Sequence, residues 1–111
     1  MKSIKVELST SQFTEINGLV KLHLGADWTF AVQDDARKTI YGFPDFGLKR
    51  IVLCQTSLDK FGSVWGRRLA FNMIATQIAV RQGGKPSVHA VKRAYEAMEI
   101  STADRMPVRL K

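Results

Sequence analysis

The chain has 111 residues, of which 45% are hydrophobic and 24% are charged. These values indicate one globular domain that can build a core without a metal or a disulfide. A single cysteine, Cys54, excludes an intrachain disulfide and fits a reducing cytosol. No apolar run resembles a signal-peptide core or a membrane span, so we expect a cytoplasmic protein.

The positive charge is placed unevenly along the chain. The formal net charge is +7. Residues 1–56 carry seven Lys/Arg and six Asp/Glu, whereas residues 57–111 carry ten and four. A basic half on a small protein indicates nucleic acid or an acidic protein surface as the partner. The alternative is a basic surface that serves only solubility.

The N-terminal third predicts a strand followed by a helix. Residues 2–8 alternate between apolar and polar side chains, which is typical of a half-buried strand. Ser9 and Gln12 have capping-box spacing, an apolar row follows at helical spacing, and Gly25 is a plausible terminator. Asn17-Gly18 is also a favoured hairpin turn. We favour the helix over a hairpin in residues 10–24.

Three further strand signals precede residue 56. Trp28–Val32 and Lys38–Phe43 flank QDDAR, a polar loop of hairpin length. Residues 44–47 have the composition of a turn. Leu48–Gln55 then contains the continuous apolar run Ile51–Leu53, which suits a central strand.

The longest helical pattern covers Ser57–Gln82, with Ser57 or Asp59 as the cap. Apolar residues lie on two of its faces, so we expect it to be buried between the sheet and a later helix. One row is Val64, Phe71, Ile74 and Ile78, interrupted by Arg67; the other is Trp65, Leu69, Met73 and Val80.

Residues 82–86 end this helix, and Ser87 caps a last one with an apolar stripe at Val88, Val91, Tyr95 and Met98. Residues 83–94 are similar to part of the DNA-binding region of KfrA-type plasmid proteins. Ala79 and Gly83 have the separation of a helix-turn-helix, but His89 falls where that motif buries an aliphatic residue. We therefore interpret the pair as a plain helical hairpin.

These elements predict an α+β fold, in which a small, mainly antiparallel sheet is covered by a long central helix and a C-terminal helix. Residues 1–111 form a single domain, with 101–111 as a loosely held tail.

No residue pattern predicts catalysis, a cofactor or a metal. Cys54, His23 and His89 do not share a zinc-type spacing. Asp34-Asp35 suits a turn. We therefore predict that the protein is not an enzyme.

The basic residues of the second half are the candidate binding site for nucleic acid or a protein partner: Arg67, Arg68, Arg81, Lys85, Lys92 and Arg93. Arg67 interrupts an apolar row, so its guanidinium needs either water, an external anion or an internal partner. We favour an internal partner, Asp59 or strand carbonyls.

The run from Cys54 to Ala70 resembles a motif of small, mostly uncharacterised phage and prophage accessory proteins, in which a strand ending in cysteine leads to Asp-x-Phe-x4-Gly-Arg. Asp59, Phe61, Gly66 and Arg67 match that spacing, and the cysteine lies one residue further upstream. The resemblance implies a phage origin.

Two function hypotheses follow. The first is a basic phage-type accessory protein that binds DNA or RNA through its C-terminal half, without a membrane or a cofactor. The alternative is a phage-encoded inhibitor or adaptor that docks on an acidic surface of a host protein or nucleoprotein, for example an anti-CRISPR-type protein.

Overall fold

The computed structural model describes residues 6–34 and 40–106. Their elements confirm the α+β class. In chain order they are α1 (Thr10–Leu24), β1 (Thr29–Gln33), β2 (Gly42–Asp45), β3 (Arg50–Cys54), α2 (Gln55–Phe61), α3 (Ser63–Gly83), α4 (Val88–Ala97) and a short 3-10 helix at Thr102–Asp104.

The three strands form one mixed sheet in the order β1-β3-β2. β2 and β3 are antiparallel, with Gly42 opposite Leu53, and β1 and β3 are parallel, with Thr29 opposite Arg50. The predicted hairpin between the first two of these strands is therefore wrong, because β3 lies between them. Its predicted central position is confirmed: four of its five residues are buried.

The turn of the β2–β3 hairpin lies later than predicted. Pro44 and Asp45 belong to β2, and the chain turns over residues 46–49. The Asp45 carboxylate accepts a hydrogen bond from the Leu48 N–H at 3.0 Å, which closes the turn. Residues 38 and 39 of the predicted strand lie outside the described part of the chain.

Helix α1 is confirmed, and the rival hairpin at Asn17-Gly18 does not form. Ser9 and Gln12 make the reciprocal bonds of a capping box, and Gly25 ends the helix. The Asn17 side chain accepts the Phe30 N–H at 2.9 Å. This amide therefore satisfies a backbone donor of the edge strand β1 instead of making a turn.

The predicted N-terminal strand does not form over Val6–Leu8, and residues 2–5 lie outside the described residues. The backbone of Val6 is bound by side chains instead. Its N–H donates to Asp59 at 3.0 Å, and its carbonyl accepts from the Gln55 amide at 2.7 Å. These two bonds hold the segment against α2 rather than in a sheet.

The predicted central helix is two helices. The helix is interrupted at Gly62, whose φ of 91° is a left-handed value that favours glycine. Neither predicted cap residue, Ser57 or Asp59, caps α2, because both lie inside that helix. The Ser57 hydroxyl donates to the Cys54 carbonyl instead. Val64, predicted in an apolar row, is 61% exposed.

Helix α3 is the centre of the core, in contact with the sheet, α1, α2 and α4. Phe71 and Ile74 are fully buried. Ser87 caps α4 as predicted, by accepting the Ala90 N–H, and Tyr95 is buried on its inner face. Of the tail predicted to be loosely held, residues 101–106 pack beside α3 and α4, and residues 107–111 lie outside the described range.

Candidate nucleic-acid interface

The structure separates the six predicted basic residues into two groups. Arg67, Arg68 and Arg81 lie on α3 and contact the body of the protein, and only Arg81 is exposed. Lys85, Lys92 and Arg93 lie on the α3–α4 turn and on α4, and all three are exposed. A surface available to a partner is therefore concentrated at α4.

All three guanidinium nitrogens of Arg67 have internal partners. Nε and Nη2 bind the two oxygens of Glu15 at 2.9 and 3.0 Å, and Nη1 lies 3.1 Å from the Asp104 carboxylate. The guanidinium carbon also lies 4.5 Å from the centroid of the Phe71 ring. An internal partner is confirmed, but the carboxylates are those of Glu15 and Asp104 rather than Asp59.

This network changes the pKa values of Arg67 and Asp104. The hydrogen bond to Glu15 raises the pKa of Arg67, and the hydrogen bond from Arg67 lowers the pKa of Asp104. The arginine thus joins α1, α3 and the 3-10 helix. Three of its five N–H donors are directed at these two carboxylates, which indicates a structural role for Arg67.

Arg81 is also held internally. Its guanidinium lies 5.2 Å from the Trp28 ring centroid, and Nη1 donates to the Leu24 carbonyl at 2.5 Å, at the C-terminus of α1. A cation at this position complements the helix dipole. Arg68 is half-buried, and its Nε has no hydrogen-bond partner in the described structure.

Lys85, Lys92 and Arg93 have no ion pair with any described residue. The amphipathic sequence of α4 explains their exposure, because Val91, Ala94 and Tyr95 take the inner face. His89, which we considered as a metal ligand, is exposed on the same helix. Glu96 and Glu99 lie near these cations in sequence, yet they form no salt bridge with them within the described ranges. The exposed cations of α4 and of the turn before it therefore form no salt bridge among the described residues, although the exposed carboxylates of Glu96 and Glu99 lie at the C-terminal end of the helix.

Arg105 is a basic residue that the sequence did not single out. Its Nε donates to the Ile100 carbonyl at 3.0 Å, and its guanidinium lies 5.5 Å from the Tyr95 ring centroid. Together with Lys92 it lines a cleft of about 240 Å³ beside α4. Residues 101–111 have no periodicity, so only its charge could have drawn attention to it.

A second surface feature is an aromatic cluster at the α2–α3 junction, in which Phe61 is exposed and Tyr41 and Trp65 are half-buried. Phe61 lies 4.5 Å from Trp65 and 5.3 Å from Tyr41, as measured between ring centroids. The Lys60 ammonium lies 5.5 Å from the Phe61 ring centroid and 3.3 Å from the Tyr41 hydroxyl. Phe61 is 43% exposed, and the neighbouring Val64 adds apolar surface.

The described residues offer no metal site: they contain no group of three or more His, Cys, Asp and Glu that could hold an ion. Cys54 is fully buried at the end of β3, and Asp34 is exposed. Asp35 lies outside the described range. A cavity of about 470 Å³ lies beside β1. Its lining is mainly apolar, and Glu7 is the one charged residue there.

No protein-family model, curated protein or solved structure matches this chain. The phage resemblance of residues 54–70 therefore stays a prediction. No helix in the described part of the chain is long and apolar enough to cross a membrane.

Proposed function

We propose that the protein binds nucleic acid through the outer face of α4 and the turn before it. The observation that supports this proposal is the set of exposed cations, Lys85, Lys92 and Arg93, that lack ion pairs among the described residues. Lysine and arginine bind backbone phosphates regardless of sequence and release counterions when they do so.

The partitioning of the arginines strengthens the argument. The structure neutralises Arg67 with two carboxylates and positions Arg81 on Trp28 and a backbone carbonyl. The cations of α4 form no comparable contact with a carboxylate or an aromatic ring on a neighbouring element in the described structure that would neutralise them. A helix with an exposed basic face and a buried apolar face can dock on a nucleic acid without loss of packing.

The test is fluorescence anisotropy with labelled double-stranded and single-stranded oligonucleotides at several salt concentrations. The slope of log K against log salt is negative, and each lost phosphate contact on duplex DNA should make it shallower by about 0.9. The variant Lys92→Glu/Arg93→Glu should weaken binding to unrelated sequences alike. Binding by the wild-type protein that does not change with salt, or none at low salt, would contradict the proposal.

The matched control is Lys49→Glu, compared with the single variant Lys92→Glu. Lys49 is exposed, lies on the β2–β3 turn and pairs with Asp27. Both substitutions change the net charge by the same amount. Equal losses of affinity would mean that total charge, rather than the face of α4, attracts the nucleic acid.

A second candidate function is supported by the aromatic cluster of Tyr41, Phe61 and Trp65 with Lys60. Exposed aromatic side chains are typical of the centre of a protein interface, and Lys60 would suit an acidic partner. This candidate is the phage-type inhibitor or adaptor that docks on a host protein or nucleoprotein, of the anti-CRISPR type.

The two candidates predict different variants to be defective. Phe61→Ala should abolish inhibition or capture of a host nucleoprotein and leave oligonucleotide affinity unchanged, whereas Lys92→Glu should do the reverse. An unchanged host complex with Phe61→Ala would exclude the aromatic cluster as the docking surface.

A further inference from the structure

Two cations face one cleft beside α4. The cleft has a volume of about 240 Å³ and is lined by Val88, Lys92, Tyr95, Arg105 and Met106. Both charged residues of this lining are positive. Asp104, which precedes Arg105, is bound to Arg67 and to the Ser101 hydroxyl, so it does not compensate this charge.

Arg105 is held in position by contacts that leave the two terminal nitrogens of its guanidinium group free. Nε donates to the Ile100 carbonyl at 3.0 Å, and the guanidinium lies over the Tyr95 ring, 5.5 Å from its centroid. The two terminal nitrogens have no ion pair within residues 6–34 and 40–106. A planar guanidinium anchored through Nε presents two parallel donors, which is the geometry that phosphate oxygens accept.

Tyr95 supplies a buried polar group to the same lining. The side chain is 1% exposed. Its hydroxyl oxygen accepts from the Asn72 amide at 3.0 Å and from the Met106 N–H at 3.4 Å. Because both neighbours donate, the hydroxyl hydrogen has no acceptor in the described structure. Tyr95 lines the cleft, so we count this hydrogen among the donors of the proposed site.

We propose that this cleft binds a phosphate group, with Arg105 and Lys92 as its charged contacts and the Tyr95 hydroxyl as a neutral donor. In solution the group is a backbone phosphate of the bound nucleic acid or free inorganic phosphate, which share the same chemistry. The first source rests on the proposed function; the second does not. Arg105 thereby extends the basic face of α4.

The test compares the wild-type protein with Arg105→Met, which keeps an apolar side chain over Tyr95 and removes the guanidinium group. The melting temperature is measured in sodium phosphate and in sodium chloride at equal ionic strength. Phosphate should raise it for the wild-type protein and for the control Lys49→Met, but not for Arg105→Met. Oligonucleotide affinity of Arg105→Met should fall roughly tenfold, as expected for a lost charge-assisted contact.

The outcomes separate the two ideas. In the first outcome, phosphate raises the melting temperature only when Arg105 is present, and the wild-type protein binds no oligonucleotide. This phosphate shift in melting temperature supports the cleft as a site for free phosphate and contradicts the proposed function. Oligonucleotide binding that Arg105→Met leaves unchanged, with no phosphate shift, overturns the cleft and leaves the proposed function standing. A phosphate shift that persists in Arg105→Met also overturns it. If Arg105→Met does not fold, Lys92→Met and Arg105→Lys take its place in the same assays.

Discussion

Replacing Arg67 by methionine tests whether this arginine is structural. Methionine keeps most of the apolar stem but removes three contacts: the paired bonds to Glu15, the ion pair with Asp104 and the stacking on Phe71. The side chain of Arg67 is 23% exposed, whereas those of Glu15 and Asp104 are 43% and 32% exposed. The two carboxylates therefore remain hydrated after the substitution. The penalty of about 3–5 kcal/mol for a stranded buried charge does not apply.

The expected loss follows from the individual contacts. Partly exposed ion pairs contribute about 0.5–1 kcal/mol each. Stacking of the cation on an aromatic ring adds about 0.5–1 kcal/mol. Arg67→Met should thus lower the free energy of unfolding by roughly 1.5–3 kcal/mol, or the melting temperature by roughly 6–12 °C for a domain of this size.

The assay is urea denaturation monitored by circular dichroism, with Arg93→Met as the matched control. Arg93 undergoes the same chemical change at an exposed position that lacks an ion pair in the described structure, so its stability should stay within about 0.5 kcal/mol of wild type. High salt should narrow the difference between the two variants. Equal midpoints for both variants at low salt would refute the structural role of Arg67.

Four further variants test the stability of the fold. Phe71→Ala should cost about 3–5 kcal/mol in denaturation experiments, because that ring is fully buried. Gly66→Ala should destabilise by roughly 1–3 kcal/mol, since a methyl group there would lie 2.5 Å from the buried Leu58 side chain. Gly18→Ala, with no atom within 4 Å of the new methyl group, should instead gain up to about 1 kcal/mol; similar effects of the two glycine variants would contradict the packing argument. The pKa of Asp104 is lowered in the folded state, so its contribution is present above the ordinary aspartate pKa and disappears as the pH falls through the folded value. The difference in melting temperature between Asp104→Asn and wild type should therefore close as the pH falls below the ordinary aspartate pKa and through the folded one, and a constant difference would show that Arg67 does not stabilise the Asp104 carboxylate.

The elements that the sequence predicted correctly are those specified by neighbouring residues. The capping box of Ser9 and Gln12 and the cap at Ser87 are local bonds, and their side chains make them in the structure. The continuous apolar run of β3 likewise indicated a strand buried on both faces. Local chemistry sufficed in each of these cases.

The errors arose where contacts between residues far apart in the sequence determine the structure. The pairing of β1 depends on β3 rather than on the loop that follows β1, so hairpin-length spacing was misleading. Gly62 interrupts a pattern whose periodicity continues on both sides, and only its positive φ shows the break. The partner of Arg67 was misidentified because Glu15 lies 52 positions away. Of the candidate site, the cations of α4 were recognised by charge, whereas Arg105 acquires its position only in the folded chain, from the Ile100 carbonyl and the Tyr95 ring.

The strand order also constrains how the chain reaches its fold during synthesis. β1 is made first, but its only strand neighbour in the described structure is β3, which follows β2 along the chain. Until residue 54 has emerged from the ribosome, β1 cannot pair with β3. Before then the Asn17 side chain can accept one hydrogen bond from the backbone of β1. The β2–β3 hairpin closes over a short turn and forms quickly, whereas addition of β1 requires a longer loop to close. Substitutions in that turn should therefore slow folding, whereas substitutions in β1 should mainly accelerate unfolding.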